Sequence, residues 1–212
     1  MRVRSMEMNY SETPWALWEE ECPCDLHFAE YLADKNLKDQ LIFHFGTGDH
    51  HIVGKTNHQR GNPNEIIALT ACKQEYDSYI DFVINNPVAA NFYKVLFADI
   101  YTLSERMLPR FDLVTLFHLA EGYDEPPNYD ETYISNAVPG TRLNSAYARL
   151  NDVTLLELFL QKLTPAGKIF FYPRSDAFRE PYQAGKIIAD FIRERKMVVE
   201  EDYKSLLVCR RP

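Results

Sequence analysis

From about Leu41 onward the chain alternates short apolar runs with stretches of helical period. That alternation is the pattern of βαβ units and predicts a mostly parallel sheet. Leu41 to Phe45 ends at Gly46, Ile66 to Leu69 ends near Thr70, Lys94 to Phe97 ends at Ala98 and Asp99, and Phe111 to Phe117 ends at His118. Runs of this kind read as strands buried on both faces. A fifth strand, Lys168 to Tyr172, follows Thr164-Pro165-Ala166-Gly167, which reads as a sharp turn because Pro and Gly set the dihedrals of a reversal. Met197 to Glu200 and Ser205 to Cys209 give two closing strands.

Val153, Leu156, Phe159, Leu160 and Leu163 fall three and four apart, as one face of a helix demands, and Ile187, Ile188, Phe191 and Ile192 repeat the pattern. Ahead of the sheet, Asp25 is placed to cap a helix carrying Phe28, Tyr31 and Leu32, preceded by an aromatic segment with Trp15 and Trp18. Between Asp49 and Glu65, the residues Gly54, Asn57, Gly61, Asn62 and Pro63 leave room for only a short helix. Residues 122–143 break the rhythm: Pro126, Pro127 and Pro139 interrupt regular structure, and Tyr123, Tyr129 and Tyr133 alternate with acidic residues. An irregular stretch of this length in a compact domain is usually functional or mobile. It follows the fourth strand and so rises from the carboxyl edge of the sheet, where open α/β folds bind ligands. The expected organisation is one domain over residues 1–212, with a helical segment at 1–40 and the insertion at 122–143.

Composition narrows the class. A chain of 212 residues with 46% apolar and 25% charged residues fits one soluble globular domain, and no apolar run approaches the roughly 18 residues that span a bilayer. The first residues carry no apolar stretch of the secretory kind, so a cytoplasmic location is expected. Four cysteines, Cys22, Cys24, Cys72 and Cys209, do not make a disulfide framework and are expected as free thiols. Cys22-Pro23-Cys24 is too short for a zinc knuckle and reads as a turn between helices. The net charge of -8 gives no support to nucleic-acid binding, leaving a small molecule or a protein as partner, with a homodimer contact through the insertion compatible with the pattern.

The motifs fall in a recognisable order. After the first strand stands His44-Phe45-Gly46-Thr47-Gly48-Asp49-His50; after the third, Asp99 and Ile100; the fourth reads Phe111-Asp112-Leu113-Val114-Thr115-Leu116-Phe117-His118; then come Leu160 to Ile169 and the closing strand pair. From Leu41 to Arg211 this order resembles the class I S-adenosylmethionine (SAM) dependent methyltransferases. The resemblance implies a Rossmann-like α/β fold with a seven-stranded, mostly parallel sheet, a C-terminal antiparallel strand pair and N-terminal helices. It implies SAM as cofactor along His44, Phe45, Gly46, Thr47, Gly48, Thr70, Asp99 and Ile100. Glycines there let the backbone approach the methionine and ribose parts closely. Asp99 matches the family acid that accepts from the adenine amino group, and His118, at the strand exit beside the methyl donor, is the candidate base, with Glu121 near it.

The sequence departs from the family at three places. His44 replaces the acid of the glycine motif, His50 replaces its third glycine, and Thr70-Ala71-Cys72 stands where the family has an acid for the ribose hydroxyls. Two readings therefore stand side by side: a methyltransferase acting on a small molecule, and a noncatalytic protein of the same fold that binds partners. A nicotinamide-type Rossmann protein fits less well, because Gly46-x-Gly48-x-x-His51 lacks a third glycine. His44, His50, His51 and His58 fall within fifteen residues, but without the spacing of a closed zinc set no metal is assigned. The bland reading puts His44 in a buried strand and the rest in a flexible loop.

Overall fold

The computed structural model describes residues 23–117, 150–172 and 183–212. Chain order gives α1 (Pro23–Asp34), β1 (Leu41–Phe45), α2 (Ile52–Gln59), β2 (Glu65–Thr70), α3 (Lys73–Asn85), β3 (Tyr93–Phe97), β4 (Phe111–Leu116), α4 (Asp152–Lys162), β5 (Leu163–Phe171), α5 (Gln183–Glu194), β6 (Val198–Tyr203) and β7 (Leu206–Arg210). The seven strands make one sheet in the order β3-β2-β1-β4-β5-β7-β6. All neighbours are parallel except β7, which runs antiparallel to both β5 and β6. The winding reverses between β1 and β4, where open α/β sheets leave a crevice at their carboxyl ends.

Successive strand residues feed opposite layers, as the two-residue period of a strand requires. Ile42, Leu113, Phe170 and Val208 join one core with Phe28, Tyr31, Val53 and Tyr79 of α1, α2 and α3. Their neighbours Phe43, Val114, Ile169 and Cys209 join the other with Leu155, Phe159, Ile188 and Phe191 of α4 and α5. The result is a three-layer sandwich. Continuous apolar strands follow from the two coats, except at the edge: β3 buries Tyr93 and Val95 but leaves Lys94, Leu96 and Phe97 exposed. The expectation that all strands are buried on both faces thus fails at β3, which has a neighbour on one side only.

Three other local readings need correction. Thr164 to Gly167 is not a turn ahead of β5 but an irregularity inside it. Phe111 pairs with Leu163 and Leu113 with Lys168, so Asp112 alone faces the four residues between. The Asp112 carboxylate pins this bulge, accepting from the Thr164 hydroxyl and from the Leu41 N–H, each at 3.0 Å. On α4 the buried face is Asp152, Leu155, Leu156, Leu158 and Phe159, while Val153 is exposed. Asn151 sets that phase by capping the helix, its side chain accepting from the Thr154 N–H as Thr154 accepts in return. Finally, Asp25 is not a cap but the third residue of α1, with its side chain buried.

Pro23 opens α1 and Cys24 is buried within it; Cys22, Trp15, Trp18 and the insertion at 122–143 lie outside the described residues. α1 is fastened to the far end of the chain. His27 Nδ1 lies 2.7 Å from Ser205 Oγ, Tyr203 donates to Asp34 at 2.5 Å, Lys204 pairs with Glu30, and Lys35 pairs with Glu201 at 3.1 Å. Cys24, Cys72 and Cys209 are not in disulfides. No helix among the described residues is long and apolar enough to cross a membrane.

Candidate functional site

The glycine loop leaves β1 at the reversal of the sheet. Gly46 has φ +93° and Gly48 φ +55°, left-handed values that glycine adopts without a Cβ penalty. His51 follows at φ +49° and opens α2, the short helix expected from the sequence. The histidines around this loop are not free to wander: His44, His50 and His51 are all buried.

His44 lies on β1 between Ala68 and Thr115 of the flanking strands. Its Nδ1 is 2.8 Å from Thr115 Oγ1 and its Nε2 is 3.5 Å from Asp25 Oδ1. The other Asp25 oxygen, Oδ2, is 3.6 Å from Nε2 of His50. Donors and acceptors assign the tautomers. The Ile52 N–H approaches His50 Nδ1 at 3.4 Å, so that nitrogen accepts and the ring proton sits on Nε2, toward the carboxylate. Thr115 Oγ1 takes the Phe45 N–H at 3.3 Å and, as a hydroxyl, suits His44 with its proton on Nε2 alone or on both nitrogens. One carboxylate therefore faces two imidazoles. Phe28 stacks on His44 at 6.3 Å and Phe117 meets its edge at 6.0 Å, so the cluster is walled by apolar rings. A Cβ on Gly48 would come within 2.3 Å of the His50 ring, which fills the room the glycine vacates.

A second carboxylate stands at the end of β2. Glu75 belongs to the first turn of α3, where the helix dipole favours a negative charge. Its Oε2 accepts from the Thr47 hydroxyl at 3.0 Å and from the Thr70 hydroxyl at 2.5 Å, so the tip of the glycine loop and the end of β2 converge on it. Thr70 Oγ1 also takes the Cys72 N–H at 3.0 Å. The end of β3 joins the group through Ala98 N–H to Thr70 O at 2.9 Å, which brings Asp99 alongside. Asp99 is buried; its Oδ1 caps the turn Ile100–Thr102 by accepting the Tyr101 N–H at 2.9 Å. Tyr101 in turn donates to Asp152 Oδ1 at 2.5 Å, tying this turn to α4.

Behind the loop, His51 bridges two elements. Its Nε2 donates to the Glu75 carbonyl at 2.7 Å and its Nδ1 accepts from the Tyr93 hydroxyl at 2.8 Å. Burial pushes its pKa down to about 4, opposed in part by the Glu75 carbonyl and assisted by nearby Lys55. Gly54 completes the wall: a Cβ there would meet the buried Tyr93 ring at 2.3 Å. Gly54→Ala is accordingly expected to cost about 1–3 kcal/mol of overpacking, read as a lowered urea midpoint. A variant as stable as the wild type would show that the Tyr93 ring moves at no cost.

Among the described residues no group of three or more His, Cys, Asp or Glu is placed to hold a metal ion.

Strand order separates this sheet from other parallel α/β architectures, because β7 is inserted antiparallel between β5 and β6. The fold is that of the class I methyltransferases. Solved structures agree. The magnesium protoporphyrin IX methyltransferase of Synechocystis, with bound SAM, is 10% identical at a TM-score of 0.56, covering 98% of this chain and 86% of that one. A methyltransferase of Podospora anserina bound to S-adenosylhomocysteine (SAH) is 11% identical at a TM-score of 0.58, covering 96% and 84%. The precorrin-6y C5,15-methyltransferase of Geobacter metallireducens is 15% identical at a TM-score of 0.54, covering 89% and 88%. No family model and no curated protein sequence matches the chain.

On the methyltransferase fold the expected residues His44, Phe45, Gly46, Thr47, Gly48, Thr70, Asp99 and Ile100 all lie in β1, β2 or the segments leaving β1, β2 and β3. Thr47 and Thr70 share Glu75, and His44 turns to Asp25 rather than outward. Ile100 is packed into the core beside Leu69 and Tyr101. His118 and Glu121 lie outside the described residues. The reading of His50 and His51 as flexible-loop residues is overturned, because α1 and α3 supply polar partners that bury them. Sequence reasoning missed Asp25 and Glu75. An acid in the first turn of the helix after β2 was a signal for Glu75; no local pattern marks Asp25 for the glycine loop.

Proposed function

We propose that the chain binds SAM at the carboxyl ends of β1, β2 and β3 and is a methyltransferase of small molecules. The observation that carries this reading is Glu75. The sequence lacks an acid at the end of β2, yet a carboxylate stands there, oriented by the Thr47 and Thr70 hydroxyls. A carboxylate so placed suits the ribose hydroxyls, which need an acceptor, and Asp99 suits the adenine amino group. Asp25 makes the same kind of repair, bringing a carboxylate to the motif whose acid is replaced by His44. When bound, the cofactor supplies a methyl group already activated on a sulfonium.

The residues of this chain would then hold and align rather than react. Displacement at an activated methyl depends chiefly on proximity and orientation, so a strong base is not required. His118 remains the proposed base where the acceptor must lose a proton. The acidic surface, net charge -8, favours a small or cationic acceptor, or a protein, over a nucleic-acid backbone. A cytoplasmic site of action is part of the same proposal.

Titration calorimetry with SAM and SAH tests the reading. Glu75→Gln keeps the shape and loses the charged acceptor, so a tenfold or greater loss of SAH affinity is expected, the worth of one or two charge-assisted hydrogen bonds at about 1.5–3 kcal/mol each. Gly46→Val, checked for folding, should abolish binding. A folded wild type that binds neither ligand would favour the second reading, a noncatalytic protein of this fold. The contact that favours it is His50 on Gly48, with a side chain of the chain itself filling the loop.

A further inference from the structure

We infer that His50 is a specificity-determining residue of this site, a plug that a nucleoside with an amino-acid tail must displace and a bare nucleoside need not. The inference rests on the nucleoside reading given above and goes beyond it by dividing the crevice into two ends of different character. At the Thr70 and Asp99 end, Glu75 of α3 and Asp99 after β3 bring acceptors to the ends of neighbouring strands. At the glycine-loop end, the imidazole of His50 lies on Gly48 so closely that not even a methyl group could be added there, the nearest ring atom being 2.3 Å from a Cβ.

The plug is held from three directions. Asp25 Oδ2 faces its Nε2 at 3.6 Å, the Ile52 N–H reaches its Nδ1 at 3.4 Å, and the glycine backbone lies against its ring. Asp25 is itself fixed by a rigid base, because His44 stands on the central strand β1 and α1 is fastened to the β6–β7 hairpin. A tail entering along the loop must therefore break the Asp25–His50 contact and lift the ring. The affinity of a tailed ligand is reduced by the fraction of molecules in which His50 is already out. Adenosine, which ends at the ribose, bears no such penalty.

The experiment is calorimetry of the full chain with adenosine, 5′-methylthioadenosine and SAH, on wild type and His50→Ala. A parallel titration follows the histidine Cε1–H resonances of the wild type by NMR, with His50 assigned from its loss in the variant. In the wild type the three ligands are expected to bind within a few-fold of one another. His50→Ala should tighten SAH at least tenfold while leaving adenosine within about twofold. The His50 resonance should shift with SAH and not with adenosine. Wild type that prefers SAH tenfold over adenosine, with His50→Ala leaving or weakening SAH, would overturn the plug while sparing the nucleoside site. Failure of all three ligands to bind either protein would overturn the nucleoside reading, and the plug with it. Should His50→Ala not fold, His50→Gln supplies the assignment and the wild-type resonances decide: a His50 signal unmoved by saturating SAH sinks the inference.

Discussion

Asp25→Ala should lose about 3–5 kcal/mol of stability, the cost of removing one partner from a buried charge cluster. The substitution deletes the carboxylate that two imidazoles approach, His44 at 3.5 Å and His50 at 3.6 Å, in a pocket walled by Phe28 and Phe117. Water is a poor replacement, since Asp25 and His44 are almost wholly shielded from solvent. The conservative variant separates charge from shape: Asp25→Asn retains one carbonyl acceptor but turns an N–H₂ toward an imidazole proton, so it should fall between wild type and Ala. Chemical denaturation reads the series. An Asp25→Ala protein within about 1 kcal/mol of wild type would mean that the cluster contributes little net stability.

Stability should also fall in mildly acid solution because of His51. Folding lowers its pKa from 6.5 to about 4, mainly by burial. Between those values the unfolded chain binds a proton that the folded chain does not, so acid favours unfolding. The contribution is complete above about pH 6.5, is lost progressively as pH falls toward about 4, and amounts at most to about 3 kcal/mol. His51→Asn tolerates the left-handed backbone and cannot titrate, so its stability should change less than that of the wild type between about pH 7.5 and about pH 5. Equal slopes for the two proteins would show that His51 takes its proton without unfolding.

The sheet was legible because its strands are apolar runs that stop at Gly46, Thr70 and Asp99, and because the closing strands follow a helix with a clear period. What escaped were consequences of position. β3 has the composition of an interior strand, and only the strand order exposes Leu96 and Phe97. Val153 and Leu155 are equally apolar, and the Asn151 cap rather than the spacing chooses which faces inward. The glycine loop was found from its glycines, but its electrostatics come from elsewhere. Asp25 lies nineteen residues before His44 and Glu75 five beyond Thr70, so the carboxylates beside the glycine loop and the end of β2 come from outside the motif itself. A motif compared position by position does not register side chains that other elements bring to it.

The fastening of α1 to the β6–β7 hairpin has a consequence for synthesis. His27 and Ser205 are separated by 178 residues and Glu30 and Lys204 by 174, so these contacts cannot close while the chain is growing through its central strands. Contacts this distant in sequence form late and slow folding. Asp25 rides on the same helix, so its carboxylate is expected to settle fully against His44 and His50 only once the hairpin has formed. A nascent chain stalled before β6 should therefore have the five strands β1 to β5 paired and an unfinished glycine loop, and proteolysis of such stalled chains should cut near Gly48 long after β1 and β4 are protected.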